Sequence, residues 1–132
     1  MPRKTDSNNP ADWIWICESD MEGIQALASQ ELGIAMCRGK LAEVIEKLLK
    51  AELIRQGWPL EKTHDLRKLE SYLNSRGSDL MPIVSTLVDT YAEVYAETRY
   101  PGFDLDEADW PTLRADVAKA DQLLRAVKVR IA

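Results

Sequence analysis

An all-α fold, an up-and-down bundle of four long helices plus one short helix, is what this sequence predicts. Three observations lead there. Ile34, Cys37, Leu41, Val44, Leu48 and Ala51 recur at alternating spacings of three and four, which is one apolar seam along one side of a helix. Trp110, Leu113, Val117, Ala120, Leu124, Val127 and Ile131 repeat that alternation near the other end of the chain, as a heptad seam. No stretch alternates apolar and polar residues as a half-buried strand does, and six glycines and six prolines in 132 residues are too few for a turn-rich β protein.

Bulk properties narrow the class. A chain of 132 residues is one domain by length, assigned here to residues 9–132 behind a disordered tail over residues 1–8. It is long enough to build a core without metals or disulfides. The net charge of −5 argues against a general DNA-coating protein, whose affinity would come from Lys and Arg on phosphates. No stretch approaches the roughly 20 apolar residues of a membrane helix. The start is polar with no signal-peptide pattern, so a cytoplasmic protein is expected. Cys17 and Cys37 fall inside helical patterns and read as small buried hydrophobes.

Taken in order, Asn9 is an N-cap and Pro10 suits a first helical position. The first helix is expected over 10–31, with Trp13, Ile16, Cys17, Ile24, Leu27 and Ala28 inward and Trp15 exposed. Gly33 breaks it. The second helix runs over 34–55, its seam widened by Ile45 and Leu49. Lys40, Glu43, Glu46, Lys47 and Lys50 are placed on its outer side, with Glu43 and Lys47, and Glu46 and Lys50, in the stabilising order. Gly57 and Pro59 end it. Thr63 is expected to cap a short third helix to 74, with Leu66, Leu69 and Leu73 inward. Asp79 is expected to cap a fourth helix running to 98, on a stripe from Leu80 through Ile83, Val84, Leu87, Tyr91 and Val94 to Tyr95. Pro101 and Gly102 end that helix, and the loop over 99–107 is aromatic and acidic. The last helix starts near Asp109, with Pro111 in its first turn.

Three groups of residues are candidates for chemistry. His64 is the sole histidine and sits in Thr63-His64-Asp65-Leu66. It is either part of a capping turn or a ligand-binding or acid–base group, since imidazole titrates near neutral pH. A zinc site has no recognised ligand spacing here. Arg99-Tyr100-Pro101 can clamp a phosphate or carboxylate and stack on a base. It can equally cap carbonyls and pair with Asp104 or Glu107. Asp20 and Glu52 lie on inward sides, where a carboxylate needs a partner. Arg99, His64 or a lysine from a second subunit are the partners expected, in a structural network or a catalytic pair. No phosphate-cradling glycine loop and no Ser/His/Asp or His-Glu-x-x-His pattern is found, and no cofactor is expected.

Several segments together resemble HEPN domains (higher eukaryotes and prokaryotes nucleotide-binding). They are Asn9-Pro10-Ala11-Asp12-Trp13, Glu46-Lys47-Leu48-Leu49-Lys50-Ala51, Pro59, Thr63-His64-Asp65-Leu66, and Tyr95 with Arg99-Tyr100-Pro101-Gly102. The resemblance covers nearly the whole chain. It implies a bundle of four or five helices and a homodimer. It also implies pairing with a minimal nucleotidyltransferase, as a two-component or toxin–antitoxin system. Some members are metal-independent ribonucleases that carry an Arg, then four to six intervening residues, then a His. Here the positions where that Arg would stand are Gly57, Trp58 and Pro59, and no histidine follows Arg99. The resemblance therefore implies a non-catalytic module that binds a nucleotide, a nucleotidyltransferase partner, or both. Its expected ligand-binding residues are Lys47, Lys50, His64, Asp65, Arg99 and Tyr100. A ribonuclease with an atypical site built on His64, and a plain interaction scaffold, are the alternatives.

Overall fold

A computed structural model describes residues 7–94 and 109–131 of the chain. Within them lie α1 (Pro10–Ser29), α2 (Ile34–Arg55), α3 (Leu66–Ser75), α4 (Met81–Tyr91) and α5 (Trp110–Ile131). No strand occurs among the described residues. The all-α bundle expected from the seams is the fold.

Helix ends follow from capping. The Asn9 side chain accepts from the Ala11 N–H at 3.1 Å, and Pro10 supplies a first-turn residue with no N–H to satisfy. Ser7, at the edge of the expected tail, is held by its hydroxyl, which donates to Asp12 Oδ2 at 2.6 Å. The first helix ends slightly short of expectation, on a Schellman turn. Leu32 N–H reaches Leu27 O at 3.1 Å and Glu31 N–H reaches Ala28 O at 3.2 Å. Glu31 occupies the left-handed position with φ of 56°, where glycine is usual. α2 ends the same way, with Gly57 at φ of 91° in that position.

Two expected caps are corrected. Thr63 does not cap α3. Asp65 does, accepting from the Arg67 and Lys68 N–H groups, while the Thr63 hydroxyl accepts from the Asp65 N–H at 3.2 Å. Asp79 does not cap α4, whose N-cap position is Leu80 with no side-chain cap. The Ser78 hydroxyl accepts the Leu80 N–H at 3.2 Å instead, and Asp79 turns to Arg130. α4 also stops at Tyr91, followed by a turn at residues 92–93, rather than running on unbroken. Thr86 and Thr90 both donate to carbonyls four residues back, at 3.0 and 3.2 Å, a habit that bends and weakens helices. Tyr95, the rest of that expected stripe, and residues 99–107 lie outside the described residues.

α2 is the centre of the bundle. It packs against α1, α3, α4 and α5, and 14 of its 22 residues are buried. That surround explains a further correction: Glu46 and Lys50, expected on an outer side, are 8% and 4% exposed. A seam marks only the middle of a buried arc, and the arc of a central helix is wider. Leu41, Val44, Ile45 and Leu48 are fully enclosed. Each such side chain contributes about 1.5–3 kcal/mol by leaving water. α1 buries Trp13, Ile14, Cys17, Met21, Ile24 and Ala28 against it, while Trp15 stays 72% exposed as expected. Cys17 and Cys37 are free thiols within the core.

The inward carboxylates have partners other than those expected. Glu52, 1% exposed, pairs with Arg55 one turn on and with Arg130 Nη1 of α5 at 3.1 Å. Arg130 also grips both oxygens of Asp79, each at 2.8 Å. One guanidinium thus ties α5 to α2 and to the α3–α4 turn by charge-assisted hydrogen bonds. Asp20 faces Lys47 of its own chain at 3.6 Å. A third buried polar contact joins α4 to α5, where the Tyr91 hydroxyl donates to Asp116 Oδ2 at 2.8 Å.

Candidate functional site

The site grows from the middle of α2. Lys47 and Lys50 lie there on the side facing the start of α1 and the 56–65 loop. The loop is pinned from below. The Trp58 and Tyr72 rings pack with centroids 5.9 Å apart, and the Tyr72 hydroxyl donates to Glu61 Oε2 at 2.7 Å. Lys68 adds a second contact to Glu61. Glu61's carboxyl is held below its usual range, chiefly by Lys68 and then by Tyr72. This anchoring sets Leu60, Lys62 and His64 along one wall.

The result is a cleft of about 440 Å³. Trp13, Ile16 and Leu60 form its apolar walls, and Lys47, Lys50, Lys62 and His64 surround them. Trp13 is fixed by its own N–H, which donates to the Ser7 carbonyl at 2.9 Å. The Lys50 ammonium stands 5.5 Å from the Trp13 ring centroid, within cation–π range.

Glu46 supports the cationic side from behind. Its Oε2 accepts from Lys50 Nζ at 2.9 Å, and its two oxygens lie 3.1 and 3.2 Å from His64 Nδ1. With Nδ1 protonated, the imidazole donates to that carboxylate and the ring is oriented by it. Lys47 is similarly answered by Asp20, whose Oδ2 is buried without a hydrogen bond. Each cleft lysine of α2 therefore already faces an internal carboxylate. An incoming anion must compete with Asp20 and Glu46, not merely fill a vacant positive spot.

Of the residues singled out from sequence, Lys47, Lys50 and His64 come together around this cleft. Asp65 stands next to His64, but its carboxylate is used as the α3 cap. Arg99 and Tyr100 lie outside the described residues. Sequence reasoning missed Glu46, Trp13, Ile16, Leu60 and Lys62 as members of the site. For Glu46 the signal is the Glu46–Lys50 spacing, which in sequence implies a pair on the outer side of the helix. For Leu60 and Lys62 there was none, because a loop has no period that assigns a side.

A family model for the HEPN domain matches residues 11–129. The chain belongs to the HEPN family. The match reaches into every helix described and covers all of the cleft-lining residues. No curated protein and no solved structure matches the chain. Membership in HEPN places the chain in a family of nucleotide-binding and ribonuclease-like modules. Among the described residues of this HEPN domain, no helix is long and apolar enough to cross a membrane, and no group of three or more His, Cys, Asp or Glu is placed to hold a metal ion.

Proposed function

We propose that this HEPN domain is a non-catalytic, cytoplasmic, dimeric module that binds a nucleotide in the Lys47/Lys50/His64 cleft and works with a minimal nucleotidyltransferase partner. One observation carries the nucleotide reading. In a chain of net charge −5, three lysines and the sole histidine surround a cleft whose walls are an indole and two aliphatic side chains. Ammonium and imidazole groups suit phosphate oxygens. Apolar and aromatic walls suit a base or sugar. Lys47, Lys50 and His64 are the ligand-binding groups in this reading, with Arg99 and Tyr100 assigned to the same ligand and Asp65 supporting His64 as the adjacent cap. Exposed Trp15, Met36 and Val129 supply apolar surface for a second copy or the partner. Calorimetric titration of the pure protein with ATP and GTP tests the proposal. Saturable binding weakened at least tenfold by Lys50→Met or His64→Ala supports it, and no heat with either nucleotide overturns it. Light scattering that shows only monomer removes the dimer.

A ribonuclease reading is favoured by one contact, the His64–Glu46 pair. A carboxylate that orients an imidazole is a common arrangement for acid–base work, and Lys50 beside it would stabilise a pentavalent phosphate. It predicts cleavage of total RNA that is lost in His64→Ala. Intact RNA after prolonged incubation excludes it.

A further inference from the structure

Trp15 is the bulkiest of the large apolar side chains exposed among the described residues, at 72%. Ser19 and Gly23 follow it at four-residue steps and are exposed as well. The three form one ridge along the outside of α1, which falls from an indole to a hydroxymethyl to a hydrogen. Nothing within the chain calls for glycine at 23. A glycine inside a helix weakens it, and a Cβ built there would meet nothing within 4 Å. A bare stretch of helix suits the close approach of another group.

Beside Gly23 lies a hollow of about 200 Å³ between α1 and the start of α2, with Asp20, Leu27, Met36 and Lys40 around it. That is below the about 300–1,000 Å³ of small-molecule sites, and it suits one large side chain. Its chemistry suits an indole. Leu27 and Met36 supply apolar surface, and a thioether is a favourable neighbour for an aromatic ring. Lys40 pairs with Glu43 at 3.1 Å yet keeps 47% of its side chain exposed, within reach of a ring seated below it. A buried indole N–H needs an acceptor. The Asp20 carboxylate, besides facing Lys47 at 3.6 Å, has an oxygen that accepts no hydrogen bond.

Resting on the dimeric reading above, we propose that two copies of the chain pair through this face, with Trp15 of each seated in the hollow beside the partner's Gly23. Trp15 and Gly23 stand at equal distances along α1 from Ser19, about 6 Å each. Two α1 helices crossing antiparallel at Ser19 therefore make both contacts at once, as a closed two-fold pair requires. Charge fits the same register. α1 carries Asp12, Glu18, Asp20 and Glu22 and no basic residue. Asp12, held by the Ser7 hydroxyl at 2.6 Å, lies one turn before Trp15, and the crossing brings it to the Leu27 and Lys40 end of the partner's hollow. The two indoles bury about 300–500 Å² together, a large share of the about 1,200 Å² of a small stable interface.

Sedimentation equilibrium of the full chain, with Trp15→Ala and Gly23→Leu, tests this. Both variants are expected to melt no lower than about the wild type, because Trp15 is exposed and a side chain at 23 starts in open space. Each is expected to raise the dissociation constant of the dimer at least about tenfold. The combined variant is expected to lose less than the product of the two single effects, since leucine at 23 then faces alanine at 15 across the pair. A wild type that pairs while either single variant pairs as tightly overturns this surface and leaves the dimer in place. Single effects that simply multiply in the combined variant overturn the contact of Trp15 with the partner's Gly23. A wild type that stays monomeric throughout overturns the dimeric reading itself, and this inference falls with it.

Discussion

Glu46 holds two neighbours at once, and its removal should be costly. Glu46→Ala leaves the 4%-exposed Lys50 ammonium without its carboxylate and His64 without its anchor. We expect a loss of about 3 kcal/mol in urea unfolding, the usual cost of breaking a buried pair from one side. An unchanged midpoint would show that Lys50 finds water instead. The two thiols give a chemical check on the core. Burial pushes the Cys17 thiol up to about 12, with Lys47 opposing, and burial also raises Cys37. Only the thiolate is nucleophilic. Ellman's reagent at pH 8 is therefore expected to modify neither cysteine in the folded chain and both in denaturant. At this scale the sequence revealed misfits better than partners. Glu52 stood out as a carboxylate within an apolar seam, yet its partner Arg130 lies 78 residues away, and no spacing rule connects positions that far apart.

Helices were the most legible level, because the three-and-four alternation survives whatever surrounds it. The bounds of α2 and α5 could be read directly from it. The caps could not all be read, since Thr63 and Asp65 are both good capping residues two positions apart, and residue type alone does not choose between them. The outer side of α2 is narrower than its pattern implies for a related reason: amphipathic patterning reports one neighbour well and four neighbours poorly. The end of α1 allows a clean test. Glu31 sits at φ of 56°, which costs a side chain about 1 kcal/mol that glycine avoids. Its exposed contact with Arg114 at 3.3 Å is worth less than that. Glu31→Gly should therefore raise the unfolding free energy by about 0.5 kcal/mol, read as a higher urea midpoint with an unchanged slope. Within α2, Leu48→Ala, at a fully enclosed position, should cost about 3 kcal/mol.

For the whole molecule, the pH dependence of stability follows from groups whose proton affinity folding changes. The Arg130 guanidinium holds the Asp79 carboxyl below its usual value of 3.8. The carboxylate therefore stabilises the fold above that value and ceases to do so as pH falls through its lower, folded value. Asp79→Asn should melt at a lower temperature than the wild type at pH 7, with the gap closing as pH falls below 3.8. At the alkaline end the sign reverses. Burial, reinforced by Asp116, raises the Tyr91 hydroxyl above its usual 10.0, and Cys17 moves up from 9.0. The unfolded chain gives up these protons first, so melting temperature should fall once pH passes about 9. A flat calorimetric profile between pH 8 and 11 would contradict this.

The grip of Arg130 joins two carboxylates of opposite surroundings, Glu52 with its side chain 1% exposed and Asp79 with its side chain 74% exposed. One guanidinium therefore connects the interior of the bundle to its outer surface. Replacing that single side chain would leave Glu52 with Arg55 and would release the α3–α4 turn from α5, so an alteration made at the surface would be felt at one of the most deeply enclosed charges of the fold.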